Sequence, residues 1–170
     1  MEETSSVRTN DGVALVARGD VVLIVYRAAA RLHRTRWLFD ELDRAAAESP
    51  GGVMAYMVIL ATADPPDAAT RAENTARLQK LGPALSLLVT VPVGDVFWVS
   101  VVRTIMRAMH LVHGRSRSQA VMTTLEAGLD RLLEASGPKT PQRTQLEADL
   151  DALHAALGVK ASWSPRRQAS

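Results

Sequence analysis

An uninterrupted apolar run, Val-Val-Leu-Ile-Val-Tyr, occupies Val21–Tyr26 and limits the folds open to this chain. Its β-branched residues disfavour a helix, and a strand with one exposed face would alternate apolar with polar residues. The run therefore predicts a strand that is buried on both faces. Such a strand needs helices on both faces of its sheet, or a second sheet packed against it.

Two further apolar runs, at 53–61 and Leu85–Val93, predict buried strands of the same kind. A turn at Gly19 joins Val21–Tyr26 to a short strand at 13–17, which predicts a β-hairpin. Segments with helical spacing of apolar residues separate the strands. These helices are predicted at 28–48, Ala68–Leu81, Val96–His113 and, after a short strand at 119–122, from a capping box at Thr123 and Glu126.

This alternation of strands and helices predicts an α/β fold. The sheet is expected to be mixed and mostly parallel, with an antiparallel edge hairpin and flanking helices. Residues 1–136 are expected to form this domain, 137–158 a linker and a C-terminal amphipathic helix, and 159–170 a disordered tail.

The C-terminal helix is expected to begin near Pro141 or at a second capping box formed by Thr144 and Glu147. Its leucines recur with the spacing of one helical face, at Leu146, Leu150, Leu153 and Leu157. The face covers about two heptads, which is short for an independent coiled coil. The helix either packs back onto the domain or pairs with its counterpart in a dimer.

Composition excludes several classes of protein. The 170 residues include no cysteine, which excludes disulfides, thiolate metal sites and cysteine nucleophiles. A net charge of +2 gives no concentrated basic face for nucleic acid. No apolar stretch reaches the length of about 20 residues that a membrane-spanning helix needs. The sequence predicts a cytoplasmic protein without membrane insertion, nucleic-acid partner or cofactor.

The histidines are His33, His110, His113 and His154. His110 and His113 have the i, i+3 spacing that can place two metal ligands on one helical face. No acidic residue lies close in sequence to complete such a site. Two histidines at a helix C-terminus are also favoured by the helix dipole, and no metal site is predicted.

The hairpin sequence V-A-L-V-A-R-G-D-V-V-L-I-V-Y-R and the later stretch S-Q-A-V-M-T-T-L-E-A-G-L-D-R-L-L resemble the STAS domain. The similarity is to its SpoIIAA-like branch, the fold of anti-sigma-factor antagonists, and covers roughly residues 13–135. It implies a non-enzymatic protein-interaction module in cytoplasmic regulation. It also implies that the partner binds the loop and helix after the middle strand.

The chain departs from this family at its phosphorylation site. Antagonists of this fold carry a phosphorylatable Ser or Thr after an Asp, at the start of the helix that follows the middle strand. Here residues 61–67 read A-T-A-D-P-P-D, with Thr62 and Thr70 as the nearby hydroxyls. A kinase-controlled switch at this place is therefore not expected.

The expected partner-binding residues are Thr62, Asp64, Asp67, Thr70, Arg103 and Arg107. Arg103 and Arg107 form a cationic stripe with His110. This stripe is either a docking site for an acidic partner or anionic ligand, or simply the solvated face of an amphipathic helix. The other faces of the same helix are apolar, which makes a homodimer a further expectation.

Two alternative functions remain. One is binding of a small apolar ligand or lipid in a pocket between the Val96–His113 helix and the sheet. The other is an enzyme in which Asp64 and Asp67 serve as acid and base. Helix capping also explains these aspartates, and no phosphate-binding glycine loop or nucleophile elbow accompanies them.

Overall fold

The computed structural model describes residues 6–113 and 118–163. Within them the strands are β1 (Arg8–Asn10), β2 (Val13–Arg18), β3 (Val21–Tyr26), β4 (Val53–Leu60), β5 (Leu85–Val93) and β6 (Ser118–Val121). The helices are α1 (Leu32–Glu48), α2 (Ala68–Leu81), α3 (Val96–His113), α4 (Leu125–Glu134) and α5 (Arg143–Ala156), with a 3-10 turn at Gly82–Ala84.

The six strands form one sheet in the order in which they occur along the chain. β1, β2 and β3 are antiparallel neighbours, and β3, β4, β5 and β6 are parallel neighbours. The predicted α/β class is confirmed, with a mostly parallel sheet and an antiparallel edge. All three apolar runs are strands, and β3 and β4 pair in the centre of the sheet.

Helices cover both faces of the sheet. Alternate strand residues pack on one side against α1, α2 and α3, and on the other side against α4 and α5. β3 contributes residues to the cores on both sides of the sheet. Ile24 belongs to the core beneath α1, α2 and α3, and Leu23 belongs to the core beneath α4 and α5. Each residue of β3 is buried. The strand buried on both faces, as predicted from its composition, is therefore confirmed.

The C-terminal helix packs back onto its own domain. α5 lies against β2 and β3, and its leucines are fully or almost fully buried, at Leu146, Leu150, Leu153 and Leu157. Arg18 of β2 forms an ion pair with Asp149 of α5, with Nε and Oδ2 2.6 Å apart. Arg27 donates to the Leu157 carbonyl at 2.6 Å. α5 is thus part of the helical layer rather than an appendage.

The chain continues along this layer beyond α5. Val159, Ala161 and Trp163 pack against the same core, and Trp163 Nε1 donates to Asp151 at 2.6 Å. Residues 159–163, the first part of the tail predicted to begin at 159, therefore contact this helical layer. The rest of that predicted tail, 164–170, lies outside the described residues.

β1 was not expected from the sequence. Asp11 and Gly12 both have positive φ, 44° and 86°, which matches a two-residue turn joining β1 to β2. β1 reads Arg-Thr-Asn, without the apolar alternation that marks a strand. It pairs with β2 through its backbone, a contact that side-chain patterns do not reveal.

Two helix starts differ from the predicted ones. α1 begins at Leu32 rather than 28, and the N–H groups of Arg27 and Ala28 donate to the Gly12 carbonyl at 2.9 and 3.2 Å. Thr124, not Thr123, caps α4 by accepting from the Ala127 N–H at 3.1 Å. α5 begins at Arg143 with Gln142 as its N-cap residue, close to the predicted start near Pro141, so Thr144 lies inside the helix and the alternative capping box does not form.

His154 of α5 is buried and predicts a pH-dependent stability. Desolvation lowers its pKa below the ordinary 6.5, against the opposing effects of the Leu150 carbonyl, 2.7 Å from Nδ1, and Asp151. The unfolded chain therefore binds a proton more readily as pH falls below about 6.5. We expect the free energy of unfolding to fall with pH in that range. Denaturant titrations between pH 7.5 and 5 measure this loss.

The matched variants for this prediction are His154→Leu and His33→Gln. His154→Leu removes the buried imidazole, so part of the loss of stability below pH 6.5 should disappear. His33→Gln replaces an exposed histidine that lies 3.6 Å from Asp11 and serves as the comparison. Equal slopes for all three proteins would contradict the role of His154.

Candidate functional site

The sheet places two connections side by side at the carboxyl ends of β4 and β5. Residues 61–67 lead from β4 to α2, and Gly94 and Asp95 lead from β5 to α3. β4 and β5 are parallel neighbours, so both connections lie at the same end of the sheet. In open α/β sheets ligands bind at this end.

Asp67 and Thr70 form the start of α2. The Asp67 carboxylate accepts from the Thr70 backbone N–H at 2.8 Å, which confirms the predicted capping role of an aspartate here. This hydrogen bond, helped by Arg31 at 3.9 Å, holds the pKa of Asp67 below its ordinary value. The Thr70 side chain is fully buried. Thr70 therefore supports the helix start and does not reach the surface.

Thr62 and Asp64 are exposed in the same connection. The Thr62 hydroxyl donates to the Arg27 carbonyl at 2.7 Å, which ties the end of β4 to the end of β3. Asp64 lies at the rim of a cavity beneath α3. The structure thus brings Thr62, Asp64 and Asp67 together on one loop.

Arg103 and Arg107 lie farther along α3. Arg107 is exposed and Arg103 half-buried. Neither forms an ion pair within residues 6–113 and 118–163. Arg36, by contrast, pairs with Glu73 at 3.4 Å across the α1–α2 contact. The guanidinium groups of Arg103 and Arg107 are therefore not neutralised by a carboxylate of the described residues.

The first residues of α3 are apolar and exposed. Asp95 caps the helix by accepting from the Trp98 N–H at 2.8 Å. Val96 and Phe97 follow, with 88% and 77% of their surface exposed. Only Val7 joins them as an exposed large apolar residue in the described part of the chain, at 37%. Contiguous exposed apolar patches rimmed by polar residues mark interaction sites, and Val96 and Phe97 adjoin each other beside a polar loop.

Sequence reasoning found the loop but not Val96 and Phe97 as surface residues. In the sequence, α3 is apolar on most faces, so the pattern alone does not say which residues face outward. The residue that could have indicated their exposure is Asp95. A helix cap at Asp95 places Val96 and Phe97 in the first turn of α3, and helical spacing then puts them on the side away from Val102, which faces the core.

A cavity of about 110 Å³ lies between the sheet and helices α1, α2 and α3. Its walls are almost entirely apolar, and include Phe39 of α1, Met57 of β4, Leu78 of α2 and Met106 of α3. Pro65 and Pro66 of the loop border it. The cavity matches the position expected for an apolar ligand site under the α3 helix.

Metal binding finds no support among the residues that the structure describes, where no three histidine or acidic side chains come together. The side chains of His110 and His113 lie outside the described part, as does the basic stretch 115–117. No described helix combines the length and the apolar character that crossing a membrane requires.

No family model matches the sequence, and no curated protein matches it either. Solved structures do match. An uncharacterized protein of the DUF3478 family with a SpoIIAA-like fold, from Shewanella loihica PV-4, aligns over 75% of this chain and 99% of its own, with a TM-score of 0.52 and 13% identity. The fold is SpoIIAA-like.

The expected resemblance to the STAS and SpoIIAA-like fold is thereby confirmed at the level of the fold. The anti-sigma factor antagonist SpoIIAA in its unphosphorylated form also aligns, over 76% of this chain and 97% of its own. Its TM-score is 0.44 and its identity 11%.

Proposed function

We propose that this SpoIIAA-like chain is a non-enzymatic protein-interaction module in cytoplasmic regulation. Its partner binds the docking surface, which we define as the loop 61–67, Val96, Phe97, Arg103 and Arg107. The observation that carries the proposal is the exposure of Phe97, an aromatic side chain next to a polar loop at the ligand-binding end of a parallel sheet.

The composition of the docking surface suits a protein interface. Interfaces place an aromatic or arginine anchor at their centre and polar groups around it. Phe97 and Val96 supply the apolar centre, while Asp64, Arg103 and Arg107 supply charged groups. Arg103 and Arg107, which form no ion pair with any described residue, favour a partner that carries carboxylates beside an apolar pocket.

The aspartates of the loop do not favour an enzyme. Asp67 accepts from Thr70 as a helix cap, which accounts for its position without catalysis. Its lowered pKa keeps it ionised at neutral pH, so it is a poor proton donor. Asp64 is exposed to solvent. Acid–base catalysis by this pair is therefore not proposed.

Replacing Phe97 tests the proposal. In affinity capture from the source cells followed by quantitative mass spectrometry, Phe97→Ser is expected to lose a specific partner that the parent chain retains. Truncation of an interface anchor costs about 2 kcal/mol or more, which is roughly a 30-fold loss of affinity. The purified partner should show this loss in a direct binding titration.

Val7→Ser is the matched control, because Val7 is the exposed large apolar residue that lies outside the docking surface in the described part of the chain and precedes β1 at an edge of the sheet. It should bind the partner as the parent chain does. Equal retention by Phe97→Ser and the parent chain would contradict the proposal, as would equal losses in the two variants.

A second copy of this chain is one partner that the same apolar surface can bind. Light scattering on the purified chain distinguishes this homodimer from a heterologous complex. If the homodimer uses the docking surface, Phe97→Ser is expected to convert it to a monomer while Val7→Ser leaves it intact. A dimer unaffected by Phe97→Ser would place self-association elsewhere on the molecule.

A further inference from the structure

The cavity beneath α3 opens into the docking surface. Its lining includes residues 63–66, which belong to the loop of that surface. Met57 and Ile59, near the carboxyl end of β4, also line the cavity and are only half-buried. Val53, which lies on the same side of the sheet at the other end of β4, is fully buried. The helices therefore leave a gap over the carboxyl end of β4, where the docking surface lies.

The size and the walls of this cavity suit one aliphatic side chain. Its volume is about 110 Å³. An engineered cavity of about 150 Å³ holds benzene, so an aromatic side chain is larger than this space, whereas a leucine or methionine side chain is smaller than benzene. The walls include Phe39 of α1, Leu78 of α2 and Met106 of α3. Burial against these residues stabilises an aliphatic group by removing it from water.

The interior of the cavity carries no charge. Tyr26 contributes the one hydroxyl among the described lining residues, and burial raises the pKa of Tyr26, so this hydroxyl is neutral at physiological pH. The Nε1 atom of Trp98 is enclosed by protein, so the Trp98 ring borders the cavity only through its carbon atoms. A charged group placed inside would lose its hydration without gaining a counter-ion.

The charge beside the cavity belongs to Asp64. It is the one charged residue in the described lining, is exposed, and forms no ion pair within residues 6–113 and 118–163. The neighbouring charges are engaged: Asp67 pairs with Arg31 at 3.9 Å. Arg71 donates to the Pro66 carbonyl at 2.7 Å. A cation next to the cavity therefore meets a carboxylate that lacks a counter-ion.

We infer that the partner inserts one leucine, isoleucine or methionine side chain into this cavity and places a lysine or arginine beside Asp64. The inference rests on the proposed function and states which side chains the partner presents. Anchors on the two sides of an interface tend to pair, as Phe97 and this aliphatic anchor would. The basic residue at Asp64, together with the carboxylates expected at Arg103 and Arg107, fixes the orientation of the partner.

Selection from a phage-displayed library of short random peptides tests this chemistry. The full-length chain is the bait. Ala55→Leu, which adds a side chain to a lining residue, removes peptides that bind elsewhere. The retained peptides should share one leucine, isoleucine or methionine beside a lysine or arginine. Replacing that anchor with alanine should weaken binding about 30-fold. Peptides without such an anchor, or failure to retain any peptide, would overturn the inference.

Methionine methyl groups locate the bound peptide. Met57 and Met106 line the cavity, whereas Met54 and Met122 pack in the core on the other side of the sheet. In the parent chain labelled with ¹³C at its methionine methyl groups, a selected peptide should shift Met57 and Met106 in a saturable manner and leave Met54 and Met122 in place. Unmoved signals of Met57 and Met106 would overturn the inference, whether or not Ala55→Leu folds.

Two further variants separate the charge from the apolar anchor. Asp64→Asn should weaken peptide binding about threefold, as expected for an exposed ion pair. Glu48→Gln, which changes an exposed carboxylate at the end of α1, should leave it unchanged. Tyr26→Phe should bind at least as tightly as the parent chain, because an aliphatic anchor offers the hydroxyl no hydrogen bond. Weaker binding by Tyr26→Phe, or equal binding by Asp64→Asn and the parent chain, would contradict the stated chemistry.

The purified cellular partner distinguishes this inference from the proposed function. Both predict a loss of about 30-fold, in Phe97→Ser for the docking surface and in Ala55→Leu for the cavity. Urea titration should show Ala55→Leu to be folded, because the added side chain fills a cavity. If only Phe97→Ser loses the partner, the docking surface stands and the cavity anchor is wrong. If Phe97→Ser binds as the parent chain does, the docking surface is wrong, and the peptide selection alone decides the inference.

Discussion

A chain ended after Gly137, and so lacking α5, is expected not to fold cooperatively. Loss of α5 would expose Val16, Val21 and Leu23 of the sheet, because α5 covers this part of β2 and β3. Burial of one leucine side chain contributes about 1.5–3 kcal/mol, so the three buried leucines of α5 and Leu157 directly after it together contribute about 6–12 kcal/mol. This equals most of the net stability of about 5–15 kcal/mol that a domain has.

Circular dichroism and urea titration measure this effect. The truncated chain should show no cooperative transition at 25 °C and should bind a dye specific for exposed apolar surface. A chain ended after Trp163 is the matched control, because it keeps α5 and the packed residues 159–163. A truncated chain with the same unfolding midpoint as this control would show that α5 is dispensable.

Replacing Gly128 with leucine is expected to destabilise the domain by about 3 kcal/mol. Gly128 lies where α4 closely approaches Tyr56 of β4 and Val91 of β5. A Cβ atom there would stand 2.6 Å from Tyr56 Cε2 and 2.7 Å from Val91 Cγ2. Tyr56 cannot yield easily, because it is fully buried and its hydroxyl donates to the Leu125 carbonyl at 2.7 Å.

Helix propensity predicts the opposite sign for this substitution. Glycine inside a helix is less favourable than leucine by several tenths of a kcal/mol, so an exposed site would gain stability. Gly51→Leu is the matched control, because a Cβ at Gly51 meets nothing within 4 Å. In urea titrations Gly51→Leu should remain near the parent chain. A Gly128→Leu variant as stable as Gly51→Leu would contradict the close packing of α4.

Sequence patterns predicted the central strands of the sheet because burial on both faces leaves a continuous apolar run. Val21–Tyr26 and Leu85–Val93 were recognised with the bounds that the structure gives. Asp64 and Asp67 were the predicted candidates for the cap of α2, because proline and aspartate before an amphipathic segment act locally, and Asp67 is the cap. Helix caps and strands buried on two faces could thus be predicted from the sequence.

Long-range contacts were not readable in the same way. The leucine spacing of α5 predicted a buried face but not that β2 and β3 bury it. β1 was not predicted, because backbone pairing with β2, and not an apolar side-chain pattern, holds it in the sheet. At the site, the loop residues Thr62, Asp64 and Asp67 were predicted together, but Thr70 points inward and the cavity requires three helices to meet.

Amide hydrogen exchange of the full-length chain tests the central claim most directly, that helices close both faces of the sheet and leave its carboxyl end for binding. The account predicts that α5 exchanges as slowly as β3 and β4, because it shares their core, and that the loop 61–67 exchanges fast. If α5 exchanged within seconds while β3 and β4 stayed protected, one face of the sheet would be open and the account would be wrong.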